Sequence, residues 1–185
     1  MIKFLSIDSS LANTGIAVGT TDGNKTDIEY IGLITTEKDK SKKIRASSDT
    51  ISRCKKTYYT VHSIIDNYKP DVVFIETPSG SQNSSAMKSY GSTCMLIASI
   101  RPNPIQVTPN EVKEASVGKK TASKKEMIDW AYNLYPNVAW DKNKDGSLKN
   151  KNEHMADAIA ITYAGIKTED FGRVKEFINA LYGRI

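Results

Sequence analysis

Val72-Val73-Phe74-Ile75-Glu76 decides how this chain folds. Four apolar residues, two of them β-branched valines, are too few for a helix and suit a strand buried on both faces in the middle of a sheet. Upstream, residues 42–68 carry Ile44, Ile51, Tyr58, Val61, Ile65 and Tyr68 at helical spacings, with Lys42, Lys43, Arg45, Arg53, Lys55 and Lys56 distributed around them. This pattern predicts a long amphipathic helix, stopped by Pro70. Earlier still, residues 2–7 are apolar, Gly15-Ile16-Ala17-Val18 resumes after the Asn13-Thr14-Gly15 turn, and residues 28–34 follow Asp22-Gly23-Asn24. These read as a three-strand antiparallel meander.

Downstream of the central strand, residues 78–85 are Ser-rich and predict a flexible loop, residues 86–100 a helix, and Ile105-Gln106-Val107 a short strand. Thr108-Pro109-Asn110-Glu111 combines an N-cap, a proline at the first helical position and an acid at the third, which starts a short helix. Residues 118–121 interrupt it. Ser123 begins another helix over residues 123–135, with Met127, Trp130, Ala131 and Leu134 on one side. A polar, Lys- and Asn-rich loop over residues 141–152 precedes a small apolar helix over 155–164, and residues 171–182 complete the chain as an amphipathic helix. The expected architecture is α/β, a mixed five-stranded sheet flanked by helices, in one domain spanning residues 1–185.

With 185 residues and 39% hydrophobic content the chain can build one core, and no internal repeat or linker divides it. Lys and Arg number 26 against 21 acids, a net charge of +5 that favours an anionic partner. Cys54 and Cys94 lack metal-site or disulfide-framework spacing and read as reduced thiols. Without a leader-like segment or about 18 consecutive apolar residues, the expectation is a cytoplasmic protein with no membrane partner.

Three stretches carry chemistry. Asp8 ends Phe4-Leu5-Ser6-Ile7-Asp8, Glu76 ends the central strand, and Glu153-His154-Met155-Ala156-Asp157-Ala158 opens a helix. Strand ends deliver carboxylates to one sheet edge, and His154 and Asp157, three apart, share a helix face, so the stretches can converge on a divalent cation. Two such ions about 3.5 to 4 Å apart serve phosphodiester hydrolysis, and Mg2+ suits sparse hard oxygen donors. Clustered carboxylates also predict at least one raised pKa in the metal-free site. Each residue has a plainer alternative. Asp8, before Ser9 and Ser10, can equally cap a turn, whereas Glu76 sits where ligand sites gather. Asp157, among Met155, Ala156, Ala158, Ile159 and Ala160, is costly to bury without a partner. His154 is a softer ligand than Mg2+ prefers, which leaves Glu153 as the competing acid. His62 reads as structural.

Taken in order, these stretches resemble the RuvC-type Holliday-junction resolvases of the RNase H-like (retroviral integrase) superfamily, and the chain looks like a phage-borne or otherwise divergent member. Residues 4–15 are similar to that family's opening strand, catalytic Asp and turn, with Ser10 where the family often has glycine. Glu76 matches the acid that ends the family's fourth strand, and residues 153–160 resemble its last catalytic helix. Thr108-Pro109-Asn110-Glu111-Val112-Lys113 and Ser123-Lys124-Lys125 resemble the segments that carry two functional lysines, which places those roles on Lys113 and Lys124. The likeness covers about residues 3–165 and leaves 166–185 as a helical extension.

The resemblance implies a structure-selective endodeoxyribonuclease that nicks four-way DNA junctions symmetrically as a homodimer, without a nucleotide cofactor. Asp8, Glu76, His154 and Asp157 would hold two Mg2+ ions, with Mn2+ as a substitute, and the products would carry 5′-phosphate and 3′-hydroxyl ends. Lys113 and Lys124 would neutralise the scissile phosphate, although both can equally be solvated lysines. Lys119, Lys120, Lys124 and Lys125, with the basic residues of the long helix, would contact DNA phosphates. The helix over residues 86–100, through Met87, Met95, Leu96 and Ile97, is the expected dimer interface, and Met87 or Tyr90 the substitute for a junction wedge. Other RNase H-fold nucleases, a non-catalytic DNA-binding relative and an actin-like ATPase remain as alternatives, the last weakened by Ser10 and the chain's length.

Overall fold

The computed structural model of the chain describes residues 1–41, 43–77 and 83–183, apart from the side chains of Ser84, Ser85 and Tyr182. Strands β1 (Ile2–Asp8), β2 (Asn13–Thr21) and β3 (Thr26–Thr35) form the expected antiparallel meander. Helix α1 (Ala46–Tyr68) then crosses to β4 (Val72–Glu76), which pairs parallel to β1, and α2 (Ser84–Ser99) leads to β5 (Ile105–Val107), parallel to β4. Helices α3 (Pro109–Ser116), α4 (Lys124–Leu134), α5 (Glu153–Gly165) and α6 (Glu169–Tyr182) follow. The sheet order β3-β2-β1-β4-β5 puts the Val72–Glu76 strand between two parallel neighbours, and Val72, Val73, Phe74 and Ile75 are all buried there.

The period of two along each strand sorts the core into two layers. Phe4, Val72 and Phe74 pack with Met155, Ala158, Ile159 and Phe171 on one face of the sheet, while Leu5, Ile7, Val73 and Ile75 pack with Val61, Leu96 and Ile100 from the α1/α2 side on the other. On the first face Ser6 meets Thr162 of α5 through their hydroxyls at 2.6 Å. Continuing that alternation, Asp8 and Glu76 turn toward the same face as Phe4 and Phe74, which is the α5 face. Helix α5 is apolar nearly all round, from Met155 to Ala164, and its alanines let it lie close to the sheet.

Local signals hold where they were strongest. Thr108 and Ser123 each accept the N–H of the third helical residue, and Glu111 and Glu126 return the bond, so both capping boxes form. Several boundaries and faces differ from expectation. Helix α1 begins at Ala46, because Ser41 folds back on Asp39 and Arg45 is extended; Lys42 lies outside the described residues. Of the Ser-rich loop, residues 78–82 also lie outside them, and Ser84 and Ser85 belong to the backbone of α2. Leu96, expected at an interface, is 5% exposed in the core, and Ile97 packs against the same cluster. Apolar residues on α2 serve two faces, and composition alone did not separate them.

Candidate active site

Strands β1 and β4 run in register from Phe4 opposite Val72 to Ile7 opposite Ile75, so Asp8 and Glu76 follow at the same level on neighbouring strands. Gly15 of β2 lies opposite Asp8. A Cβ there would stand 1.8 Å from the His154 carbonyl oxygen, so the glycine is what admits the start of α5 to this edge. Helix α5 thereby delivers His154 and Asp157 to the two strand ends.

The His154 Nδ1 atom stands 2.8 Å from an Asp8 carboxylate oxygen, and its Nε2 is 3.5 Å from Glu153. Glu153 is itself paired with the Lys124 ammonium at 2.8 Å. Burial is the main cause that drives the Glu76 carboxyl up to about 8, with Asp8 and Asp157 adding to it and Lys113 opposing it. Asp157 rises to about 7, again chiefly by burial and then by Asp8, while His154 and Lys113 pull it down. For His154 burial acts downward, but the hydrogen bond and charge of Asp8, with Glu153 and Asp157, outweigh it and hold the imidazole above its ordinary value. The raised acids expected of a carboxylate cluster are therefore present, at Glu76 and Asp157.

These donors fit a hard divalent cation. They are carboxylates held away from water, and their mutual repulsion is the kind a cation relieves. Among the described residues no three His, Cys, Asp or Glu side chains stand close enough to hold one ion as they are placed. The acids act on one another electrostatically without forming a finished cage.

The lysines divide. Lys113, in the last turn of α3, is near enough to act on Glu76 and Asp157. Lys124 reaches the site edge through Glu153 although its side chain is 80% exposed. Lys119 pairs with Glu126, Lys120 with Glu114 and Lys125 with Asp129, so these three stand beside acids on the α3/α4 surface. His62 has the structural role expected of it, against Tyr58 and the Ser99 hydroxyl. Gly15, expected at a turn, instead lies within β2 and clears the path of α5; its signal in the sequence is a glycine inside a strand.

The sheet order, crossovers and helix placement define an RNase H-like fold. Two solved structures share it: T. thermophilus RuvC in complex with Holliday junction substrate (TM-score 0.65, 18% identity, 93% of this chain and 97% of that one) and the Fowlpox virus resolvase with its substrate Holliday junction DNA (TM-score 0.50, 16% identity, 88% and 96%). The sequence model of crossover junction endodeoxyribonuclease RuvC matches residues 4–164, and the chain belongs to that family. Curated relatives named crossover junction endodeoxyribonuclease RuvC include those of Prochlorococcus marinus (strain MIT 9312), 26% identical over 174 residues that span 92% of this chain and 99% of the relative, and Chlamydia abortus (strain DSM 27085 / S26/3), 30% identical over 134 residues that span 68% and 75%.

Proposed function

We propose that this chain is a divalent-metal-dependent, structure-selective endodeoxyribonuclease that resolves four-way DNA junctions by paired nicks. The observation that carries the reading is the meeting of Asp8, Glu76 and Asp157 at one sheet edge, with two of the acids shifted upward by burial and mutual repulsion. Its support is membership of the RuvC family. Asp8, Glu76, Asp157 and His154 would hold Mg2+, or Mn2+ in its place, with two ions per site. When bound, the metal supplies an activated water and stabilises the departing oxygen. His154 orients Asp8 through the 2.8 Å contact. Lys113, which acts on Glu76 and Asp157, would offset charge that develops on the scissile phosphate, and Lys124 would join it on release from Glu153. Cleavage of the bond to the 3′ oxygen leaves a 3′-hydroxyl and a 5′-phosphate. Lys119, Lys120 and Lys125 would exchange their acidic partners for DNA phosphates, giving affinity that falls with salt.

The test is a panel of matched four-way junction, Y-fork, flap, duplex and RNA/DNA hybrid substrates with Mg2+. The junction is expected to be cut symmetrically and at least about tenfold faster than the duplex, a margin of about 1.4 kcal/mol. Faster cutting of the hybrid or duplex, without paired junction nicks, would assign the same acids to another RNase H-fold nuclease. No helix among the described residues is long and apolar enough to cross a membrane.

Paired nicks call for two active sites, and the helix α2 supplies a surface for a second copy. Met87, Gly91, Met95 and Ala98 are exposed along one stripe of it, and Ile51, Tyr58 and Tyr59 of α1 flank a cleft of about 450 Å3 beside Met95. Gly91 has open space around it, which lets a symmetry-related helix approach closely. Met95→Glu is expected to weaken the dimer about 100-fold or more, as loss of a central interface residue does. Sedimentation velocity checks this, and a dimer of unchanged affinity would move the interface elsewhere.

A further inference from the structure

The turn that follows Asp8 is fastened by side chains from three other elements. The Thr93 hydroxyl of α2, 1% exposed, donates to the Ser9 carbonyl at 3.2 Å, and the Leu11 N–H donates to the Ser89 hydroxyl at 3.0 Å. Just past β3, Thr36 donates its hydroxyl to the Leu11 carbonyl, and its N–H bonds the Ala12 carbonyl at 2.8 Å. Arg53 of α1 closes the arrangement. Its Nε donates to the Thr36 hydroxyl at 2.9 Å and its Nη2 to the Leu11 carbonyl at 3.1 Å. Thr36 and Arg53 thus converge on one carbonyl oxygen three residues from the catalytic acid. Whereas Lys55 on the same helix is exposed, Arg53 is half-buried and turned toward the sheet edge.

We infer that Arg53 is a positioning residue for the nuclease reaction: with Thr36 it locks the Ser9–Ala12 turn and so fixes where β1 presents the Asp8 carboxylate. The planar guanidinium suits the task because two donors in a fixed fork meet two acceptors at once, which a lysine ammonium on a flexible stem does not reproduce. The turn needs outside support. Internally the Ser10 hydroxyl bonds both backbone groups of Asn13, and the Thr14 hydroxyl bonds the Ser10 carbonyl, but nothing within the turn holds the Leu11 carbonyl. A loosened Leu11 leaves Asp8 tethered by β1, by His154 and by the Thr93 bond to Ser9, and a displacement of about 1 Å at a reacting centre costs as much as 100-fold in rate. Because α1 and α2 also form the proposed dimer surface, the same hydrogen bonds join that surface to the active site.

The inference rests on the nuclease reading of Asp8, and the experiment keeps the two apart. Arg53→Ala, Arg53→Lys, Thr36→Val and the Arg53→Ala/Thr36→Val double variant are compared with wild type for junction cleavage in Mg2+. Junction affinity is measured without metal, and amide hydrogen exchange is followed across the chain. Arg53→Ala is expected to lower kcat about 10- to 100-fold, change junction Kd less than about twofold and speed exchange at residues 9–13 while leaving the central strands protected. Arg53→Lys recovers part of the rate, and the double variant is no slower than Arg53→Ala because both substitutions release one carbonyl. A wild-type protein that cuts no substrate sinks the nuclease reading itself. If wild type cuts and Arg53→Ala matches it, the positioning role is overturned. A tenfold weaker Kd with unchanged kcat and a salt slope reduced by about one would make Arg53 a direct phosphate ligand, seated in the cleft of about 400 Å3 beside Ser10 and Ala86. Should Arg53→Ala fail to fold, Arg53→Lys and Thr36→Val carry the comparison; unfolding of all three would show a purely structural bond.

Discussion

Asp8→Asn is expected to lower junction cleavage about 1,000-fold or more while junction affinity in metal-free buffer stays within about twofold. The carboxylate is where three constraints meet: the end of β1, the 2.8 Å contact to His154, and the neighbouring Glu76 and Asp157 carboxyls, whose pKa values its charge raises. An amide keeps the shape and one acceptor but cannot carry the negative charge that balances a divalent ion. The proposed phosphate contacts are lysines outside this contact, so binding and cleavage are expected to separate. Gel-shift titration beside a single-turnover cleavage assay measures both, and cleavage retained within tenfold of wild type would remove Asp8 from the centre of the mechanism.

Glu76→Gln is expected to have two opposite effects, lost cleavage and a gain in metal-free stability at alkaline pH. The Glu76 carboxyl is raised from an ordinary 4.5 to about 8, mainly by burial and then by Asp8 and Asp157. The folded state therefore holds a proton that the unfolded state releases from about pH 4.5 upward. Where the folded state binds more protons, stability falls as pH rises. Asp157, raised to about 7, acts in the same direction. Metal-free wild type should accordingly be most stable near pH 5 and lose stability progressively to pH 8. With glutamine at 76 the main part of that loss disappears, a difference on the order of 2 kcal/mol at pH 8 after allowance for solvent screening at a half-buried carboxyl. Divalent binding competes with these protons, so apparent metal affinity of the wild type rises over the same interval. Urea unfolding at pH 5, 6.5 and 8, with chelator and with Mg2+, resolves the pattern. A metal-free wild-type stability that is flat from pH 5 to 8 would contradict it.

Much of this site was legible because strands and capping boxes write local rules. Val72 to Ile75 could only be a buried strand, so Glu76 had to emerge at its end, and the alternation through Phe4, Ser6 and Asp8 set which face the first acid takes. The Thr108 and Ser123 caps likewise fixed the starts of α3 and α4 from four residues each. The misses have a common cause. Leu96 lies on a helix whose apolar residues face both the core and solvent, and Arg53 looked like one more cation on a basic helix. In each case the pattern gives a residue's chemistry but not the element across from it.

By itself, then, the sequence determined the order of strands and helices, the positions of the caps and the sheet edge to which Asp8 and Glu76 belong, since each depends on contacts within a few residues. Only the tertiary structure decided that α5 lies over that edge, with His154 touching Asp8 across 146 positions of chain and Gly15 making room. It also decided that Arg53 points inward to the turn beyond Asp8. Those outcomes depend on how helices and sheet pack in three dimensions, and no local periodicity encodes them.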